Sequence, residues 1–584
     1  MIPHVPLLLP QTILMFGGCL FLIGGLSPRG KRLWGPACLL LLTLCGLCLA
    51  AVGGDVDDGS SAEPLRHEEA LIDSPSIRNS DDVAGSPGLF VADTLAMASA
   101  WCCLGAGLLF ALCALDGWRS TDVASEFFGL MLLCLSGVML VGMANDLVVL
   151  YLGLELAGIP LFALLRLSGG QARPHTASTN FLLLGILSSA LLLYGFSLLY
   201  GLAGTTNLGE IQALFTSSNM PNFVEETVAG GSVLGVVVIV LIAAGLGFRV
   251  FAVPFHFGMP DICETTTTWN AGFLAVVFLG GGFVALIRLL AGTMAGYEDA
   301  VQLVVLVLAG LTMSVGNTLA LFQKNVRRML AYAAIGHAGF ALVGVAAGLR
   351  DLSALAHGSE RVSPVPDGIA ASLFFLVGYL LAEAGLFAVL VYLARKDRQI
   401  EFLEDLAGLI RTEPLAATSA GICLLSLAGL PPLAGFWGRF FLLTSALSIQ
   451  AATEQSALTV ASQVSVLLGL VMAVNLLLTA AVCLRIAVPV FFANPVARPR
   501  PSGGEAALGA ATISAIVLVG IGLIPGPLLR SLENVDLRGS RNQPGVTVSV
   551  ESSESYSRRG TGRLEDALPP PAMQKKGVEP SGLH

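Results

Sequence analysis

The sequence places ionisable side chains inside stretches that are otherwise apolar. A charged residue in a membrane-spanning helix costs about 2.5–3.5 kcal/mol on insertion scales, so its presence is by default a sign of function. Imidazole titrates near neutral pH and suits proton relay. The alternative for each is a polar residue that only packs between helices. The residues concerned are Glu155, Arg249, His256, His337, Glu383 and Arg439.

The elements that must hold these residues are membrane helices. The chain has 584 residues, of which 55% are hydrophobic and 12% charged, and its mean hydropathy is +0.79. Soluble domains average roughly 25% charged residues, so only the membrane class fits. The net charge of −9 comes from a few acidic loops and predicts no nucleic-acid partner.

The apolar stretches predict an all-α integral membrane protein with about fourteen spanning helices, because most stretches reach the ~20 residues that a span needs. The first stretch lacks a preceding basic segment, so it predicts a retained span and not a cleaved signal peptide. The spans lie near 7–26, 33–53, 89–115, 126–144, 147–167, 177–202, 232–253, 270–292, 301–322, 329–349, 368–394, 414–447, 460–488 and 506–524.

Basic residues in short loops predict the orientation in a plasma (inner) membrane. Such residues mark the cytoplasmic side, and six basic groups in short loops each fall in an odd-to-even connection, for example Lys324 with Arg327 and Arg328. Both termini are therefore predicted to be periplasmic. The acidic segment 54–88 and the tail 530–584 are rich in Ser, Gly, Pro and charge, and are predicted to be mobile.

Cysteine spacing predicts neither a disulfide framework nor a metal site. The eleven cysteines lie almost wholly in apolar stretches, where free Cys behaves as a small hydrophobe. Cys45 and Cys48 have redox or metal spacing, but no second pair or histidine lies nearby.

Prolines interrupt two of the predicted spans. Val253-Pro254-Phe255-His256 lies in the seventh span and Gly429-Leu-Pro-Pro-Leu-Ala-Gly435 in the twelfth. Broken helices at matching positions of two halves point to an inverted repeat that lines an ion path. Proline kinks without function are the alternative, since Pro is frequent in spanning helices.

Several long motifs carry a family resemblance. They include Glu126-Phe-Phe-Gly-Leu-Met-Leu-Leu, Ala144-Asn-Asp-Leu147, Gln323-Lys-Asn-Val-Arg-Arg-Met-Leu-Ala-Tyr332 and Leu425-Ser-Leu-Ala-Gly-Leu-Pro-Pro-Leu-Ala-Gly-Phe436. Over about residues 89–524 the chain resembles the N-type, antiporter-like membrane subunit of bacterial NADH-quinone oxidoreductase, respiratory complex I.

The resemblance implies an architecture. Two inverted units of about five helices each are implied at 126–292 and 301–488, with broken seventh and twelfth helices. An N-terminal hairpin (1–53) and a third helix with its connection (89–125) come first, and a last helix (506–524) follows.

The resemblance also implies a role. The complex uses NADH, FMN, iron–sulfur clusters and quinone, but this chain is expected to bind no cofactor or metal. It would couple distant electron transfer to proton translocation, with other membrane subunits and the lipid bilayer as its partners.

The resemblance further assigns residue roles. Glu155 matches the family's essential glutamate, and its expected partner is Arg249. His256 and His337 match histidines that resemble proton-relay groups. Where the family has lysines, this chain has Asn180, Arg249, Leu279 and Arg439.

Those departures put pumping in doubt. Arginine stays protonated, with a pKa above about 12, so it can hold a charge pair but cannot relay a proton. Leu279 removes a central titratable group. Glu383 stands where the family usually has asparagine, and we expect it either to pair with Arg439 or to face a water-filled groove.

Two other functions stay open. One is a subunit of an Mrp-type cation/proton antiporter, which shares the broken helices. The other is a structural paralogue that moves no protons. The run Ala144-Asn-Asp-Leu147 and the lack of a long C-terminal lateral helix favour the N-type subunit, whereas the lost lysines favour the non-pumping paralogue.

Overall fold

The computed structural model describes residues 5–25, 32–58, 88–118, 123–167, 172–216, 233–291, 298–356, 367–394, 400–451, 460–495 and 503–533. Within these ranges the chain is helical, and extended pairing is limited to isolated bridges such as Phe90 with Ala144. The helices are Val5–Gly24 (α1), Trp34–Asp58 (α2), Thr94–Trp118 (α3), Ala124–Met143 (α4), Leu147–Leu167 (α5), Ala172–Ala203 (α6), Leu208–Thr216 (α7), Val233–Arg249 (α8), Gly258–Thr265 (α9), Thr268–Phe273 (α10), Leu279–Leu286 (α11), Glu298–Phe322 (α12), Val326–Ala356 (α13), Gly368–Leu393 (α14), Leu409–Thr412 (α15), Pro414–Ala428 (α16), Ala434–Ala451 (α17), Val460–Phe492 (α18), Glu505–Leu523 (α19) and Gly526–Glu533 (α20).

The lengths of these helices confirm the membrane class. In the described part of the chain, 11 helices are long and apolar enough to cross a bilayer. Three shorter apolar helices, Leu8–Gly24, Leu234–Arg249 and Pro414–Ala428, fall where the first, seventh and twelfth spans are predicted. The chain is therefore a multi-pass membrane protein.

The two predicted helix breaks are present. The first separates α8 from α9 at 250–257 and the second separates α16 from α17 at 429–433. Each contains one cis X-Pro bond, Val253–Pro254 and Pro431–Pro432. Gly429 has a φ of 78°, a left-handed conformation that side-chain-bearing residues rarely adopt.

Protein groups satisfy the backbone at both breaks. Val253 N donates to Thr312 Oγ1 of α12 at 3.0 Å, and Gly435 N donates to Ser426 Oγ at 3.1 Å. Irregular backbone inside a membrane requires such partners, because lipid offers none. The breaks are thus stable features of the fold.

One central helix is built in four pieces. It starts as α10, widens into a π-helical turn at Leu274–Phe278, continues as α11 and ends in a second π-helical turn at Ile287–Ala291. This run and α13 are almost wholly buried, whereas α2, α6, α18 and α19 turn broad apolar faces outward. The core therefore lies around the pieces that flank the first break.

Several predicted boundaries were wrong. Helix α3 begins at Thr94 and not at 89, because Phe90 bridges Ala144 and Asp93 accepts a hydrogen bond from Ala96 N, which caps the helix. Helix α2 extends into the segment predicted as a loop from 54, and the last four residues of α20, from 530 to 533, fall in the predicted tail. The rest of both segments, 59–87 and 534–584, lies outside the described residues.

Candidate functional site

The predicted ion pair between Glu155 and Arg249 is present. Glu155 lies on α5, and Arg249 is the last residue of α8, immediately before the first break. Arg249 Nη2 donates to Glu155 Oε1 at 2.7 Å and to Ser189 Oγ of α6 at 3.2 Å. Arg249 Nη1 donates to the Leu154 carbonyl at 2.9 Å. The guanidinium group therefore joins three helices.

Local sequence explains why the guanidinium group fits there. A cation is favoured at the C-terminal end of a helix, where carbonyl groups lack helical partners. Gly158 leaves the space for it, since a Cβ at that position would lie 2.7 Å from Arg249 Nη1. Gly282 of α11 allows a similar approach, because a Cβ there would lie 2.7 Å from the Arg249 carbonyl oxygen.

An apolar partition borders this pair. The Phe278 ring lies under the Arg249 guanidinium carbon at 5.4 Å and packs at 5.7 Å from the Phe251 ring. Leu279, the next residue, is fully buried. The structure therefore has buried hydrocarbon at a position where the family resemblance predicts a titratable side chain.

A second cluster lies beyond the partition. Arg439 of α17 places Nη2 3.3 Å from His337 Nδ1 of α13 and also donates from Nη2 to the Leu427 carbonyl at the end of α16. The His337 ring lies 5.1 Å from the Tyr379 ring of α14. The Tyr379 hydroxyl donates to the Ala275 carbonyl at 3.2 Å, in the first π-helical turn.

The predicted pair between Glu383 and Arg439 was wrong. Glu383 is 0% exposed, and neither of its carboxyl oxygens has a hydrogen-bond partner. Arg439 is instead held by the unpaired carbonyl end of α16, which attracts a cation for the same reason as the end of α8.

The remaining predicted residues stand apart from both clusters. His256 lies in the first break, is 6% exposed, and has an Nδ1 atom without a partner. No hydrogen bond within the described ranges joins it to either cluster. Asn180 is exposed on α6.

Sequence reasoning missed a second buried ion pair. Arg288, in the second π-helical turn, donates from Nη2 to Asp93 Oδ1 at 2.9 Å, from Nη1 to Asp93 Oδ2, and also to the Gly142 carbonyl at the end of α4. An arginine inside a predicted span was a usable signal. Asp93 lies inside the predicted span 89–115, so its charge was a usable signal as well.

A neutral polar network was also missed. Asn317 Nδ2 donates to Asn475 Oδ1 at 3.1 Å, and the Thr479 hydroxyl donates to Asn317 Oδ1 at 3.0 Å. All three residues are buried and join α12 to α18. Amide and hydroxyl groups between spanning helices typically hold those helices together.

Comparison with known proteins agrees with the geometry. Residues 144–469 match the family described as NADH:quinone oxidoreductase/Mrp antiporter, TM. An NADH-quinone oxidoreductase subunit N from Paramagnetospirillum magneticum is 36% identical over 450 residues, which cover 76% of this chain and 84% of that protein. The subunit N of Rhodospirillum rubrum is 35% identical over 362 residues, which cover 62% and 69%.

Solved structures share the fold. A chain of respiratory complex I from Thermus thermophilus with bound aureothin has a TM-score of 0.67 and 26% identity, covering 90% of this chain and 100% of that one. A chain of the Mrp complex from a Dietzia species has a TM-score of 0.70 at 21% identity, covering 92% and 97%. This chain belongs to the NADH:quinone oxidoreductase/Mrp antiporter family of membrane proteins and is of the subunit N type found in bacterial NADH-quinone oxidoreductase.

Proposed function

We propose that this chain is a membrane-arm subunit of a proton-translocating NADH-quinone oxidoreductase, where it couples quinone reduction to proton movement. The observation that carries the proposal is the Glu155–Arg249 pair at a helix break, in which Arg249 is buried and Glu155 partly buried, in a chain of the subunit N type. The redox cofactors of the complex belong to other subunits. This chain's partners are the other membrane subunits of the complex and the lipid bilayer of the plasma (inner) membrane.

The proposed proton pathway uses ionisable residues on both sides of the partition. Arg249 and Arg439 stay charged and act as counter-ions, because arginine does not release its proton at physiological pH. Leu279 interrupts this row of ionisable residues. We therefore expect this subunit to move fewer protons per turnover than a relative with lysines at these positions, or none. The pathway comprises Glu155, Arg249, His256, His337, Glu383 and Arg439.

The proposed architecture has about fourteen spans in which two inverted units, 126–292 and 301–488, each contain one broken helix. Support comes from the positions of the breaks, one between α8 and α9 and the other between α16 and α17. The three shorter apolar helices would complete the spans that the 11 long ones begin.

We predict that both termini and the segment around Ser60 are periplasmic. Cysteines introduced at Ser60 and Ser553, which lie outside the described residues, should react with a membrane-impermeant thiol reagent in intact cells. The parent protein, with its native cysteines, measures the background. Labelling that appears only after lysis would reverse the orientation.

We predict that the chain is purified in a large complex with other hydrophobic subunits and with NADH dehydrogenase activity. The relatives of the subunit N type motivate this expectation. Native gels of gently solubilised membranes, probed through a tag on this chain, would test it. A band of monomer or homodimer size without NADH dehydrogenase activity would exclude complex I.

A second candidate function is a subunit of an Mrp-type antiporter, which the fold shared with the Dietzia chain favours. Membrane vesicles would separate the two. Sodium-driven proton movement in the absence of NADH would support the antiporter, whereas proton movement that requires NADH would support the oxidoreductase.

A further inference from the structure

Three residues beyond the apolar partition carry buried polar atoms without hydrogen-bond partners. Glu383 is 0%, His337 1% and Arg439 6% exposed. The great majority of buried polar atoms in proteins are hydrogen-bonded, to protein or to ordered water. The unpartnered atoms are both carboxyl oxygens of Glu383, Nε2 of His337, and Nε and Nη1 of Arg439.

The unpartnered atoms are chemically complementary. Arg439 donates to His337 Nδ1, so in the neutral ring the hydrogen is on Nε2, which makes Nε2 a donor. Nε and Nη1 of Arg439 are donors as well. The Glu383 oxygens are acceptors. The unused donors therefore belong to Arg439 and His337, and the unused acceptors belong to Glu383.

These residues lie in one region. The rings of His337 and Tyr379 are 5.1 Å apart, and Glu383 follows Tyr379 by four residues on α14, which places both on the same helix face. Polar atoms separated in this way can be bridged by internal water, which proteins commonly use to satisfy buried groups.

The charged and titratable groups around Glu383 determine whether its carboxyl group is protonated. The other titratable side chains near its carboxyl group are the thiols of Cys263 on α9, Cys423 on α16 and Cys483 on α18, together with the Tyr379 phenol. No cation of the described residues touches it. A buried carboxylate without a cation or hydrogen-bond donor is strongly disfavoured, whereas the neutral acid is tolerated.

We infer that Glu383 carries a proton in the arrangement described here, and that Arg439 is the counter-ion that moves to Glu383 when this proton leaves. On ionisation the O–H bond of the carboxyl group breaks and the proton passes to bridging water. Arg439 supplies the compensating charge through its unused Nε and Nη1 donors. The acid is the titrating partner, and the arginine is the group that moves.

Arg439 is suited to this movement by its number of donors. A guanidinium group has five N–H donors, and here a single nitrogen, Nη2, makes both contacts, with the Leu427 carbonyl and with His337. Nε and Nη1 can therefore donate to Glu383 when the side chain moves. The inference rests on the proposed function only where it places the Glu383 proton in the translocation pathway.

Infrared difference spectroscopy of the purified complex after a pH change tests the protonation. We expect a carbonyl band from a protonated carboxyl group that is lost in Glu383→Gln and retained in the matched control Glu404→Gln, an exposed glutamate. Glu383→Asp should shift the band without removing it. Persistence of the band in Glu383→Gln would overturn the inference.

The counter-ion is tested by the pH at which this band disappears. An opposite charge nearby lowers a carboxyl pKa by about 1–3 units. Arg439→Gln should therefore move the titration of the band upward by about one pH unit or more, whereas Arg439→Lys should largely restore it. An unchanged titration in Arg439→Gln would overturn the role given to Arg439.

Two further outcomes separate the inference from the proposed function. The band could titrate as expected while Glu383→Gln leaves NADH-driven pumping unchanged. That result would support the proton on Glu383 but would remove Glu383 from the translocation pathway. If sodium chloride at constant pH removes the band, a sodium ion displaces the proton from Glu383, and the assignment of Arg439 as the counter-ion is overturned.

Discussion

Replacing Glu155 with glutamine is expected to reduce both the assembly of the complex and its NADH-driven proton pumping. Glutamine can still accept one hydrogen bond from Arg249, but the substitution removes the only carboxylate among the described residues that the guanidinium group contacts. Removing one partner of a buried pair costs about 3–5 kcal/mol in soluble proteins, because the remaining charge is uncompensated. Native-gel abundance and the pH gradient formed in membrane vesicles are the measurements. Glu404→Gln, the same substitution at an exposed position, is the control.

A conservative substitution of Arg249 separates the effect of its positive charge from the effect of proton release. Arg249→Lys keeps the positive charge but has one nitrogen in place of the two that contact Glu155 and the Leu154 carbonyl. Assembly should survive, and pumping should not fall, because a buried lysine can release and regain a proton. Normal assembly of Glu155→Gln combined with loss of pumping in Arg249→Lys would contradict this view of the pair.

Replacing Arg288 with methionine is expected to be the most destabilising single change outside the proposed pathway. Arg288 and Asp93 have side-chain exposures of only 7% and 13%, and the pair ties the second π-helical turn to the start of α3 and the end of α4. The loss of one partner should cost about 3–5 kcal/mol. Thermal unfolding of the detergent-solubilised complex and the amount of chain in membranes would measure it.

The control for Arg288→Met neutralises the partner of Arg288, which is Asp93. Asp93→Asn removes the negative charge but keeps the oxygen that accepts from Ala96 N, so the cap of α3 should persist. The double variant should therefore be more stable than Arg288→Met alone, as expected for coupled residues. Arg411→Met, at an exposed arginine, should have little effect. Equal losses in the single and double variants would show that the pair is not the cause.

Sequence predicted the parts of this molecule that local chemistry determines. Apolar length predicted the membrane helices, and prolines predicted both breaks. The Glu155–Arg249 pair also followed, because each residue is a rare charge in its span and family resemblance supplied the pairing. The structure adds the contacts of Arg249 with Ser189 and the Leu154 carbonyl.

Sequence did not predict the contacts that depend on which of several possible partners a residue meets in the folded chain. Sequence offered two acceptors for Arg439, Glu383 and the carbonyl end of α16. Only the position of the helix break explains why Arg439 donates to the α16 carbonyl. Asp93 lies inside the predicted span 89–115, but its partner is 195 positions away, so local sequence did not show the pairing. The π-helical turns left no clear pattern in an apolar run where nearly every residue is buried.

Those turns give the central helix a helical phase that its residues alone do not determine. A π-helical turn accommodates one more residue than an α-helical turn, and each residue of a helix rotates the next by about 100°. Converting Leu274–Phe278 to α-helical geometry without removing a residue would therefore turn the later side chains by roughly that angle, directing Gly282 away from the Arg249 carbonyl and Arg288 away from Asp93. Two relatives could therefore share every side chain of this helix and still differ in which face meets the two ion pairs. Deleting one residue as the turn becomes α-helical would restore the original direction, so a single gap in an alignment would mark a relative whose later side chains keep it.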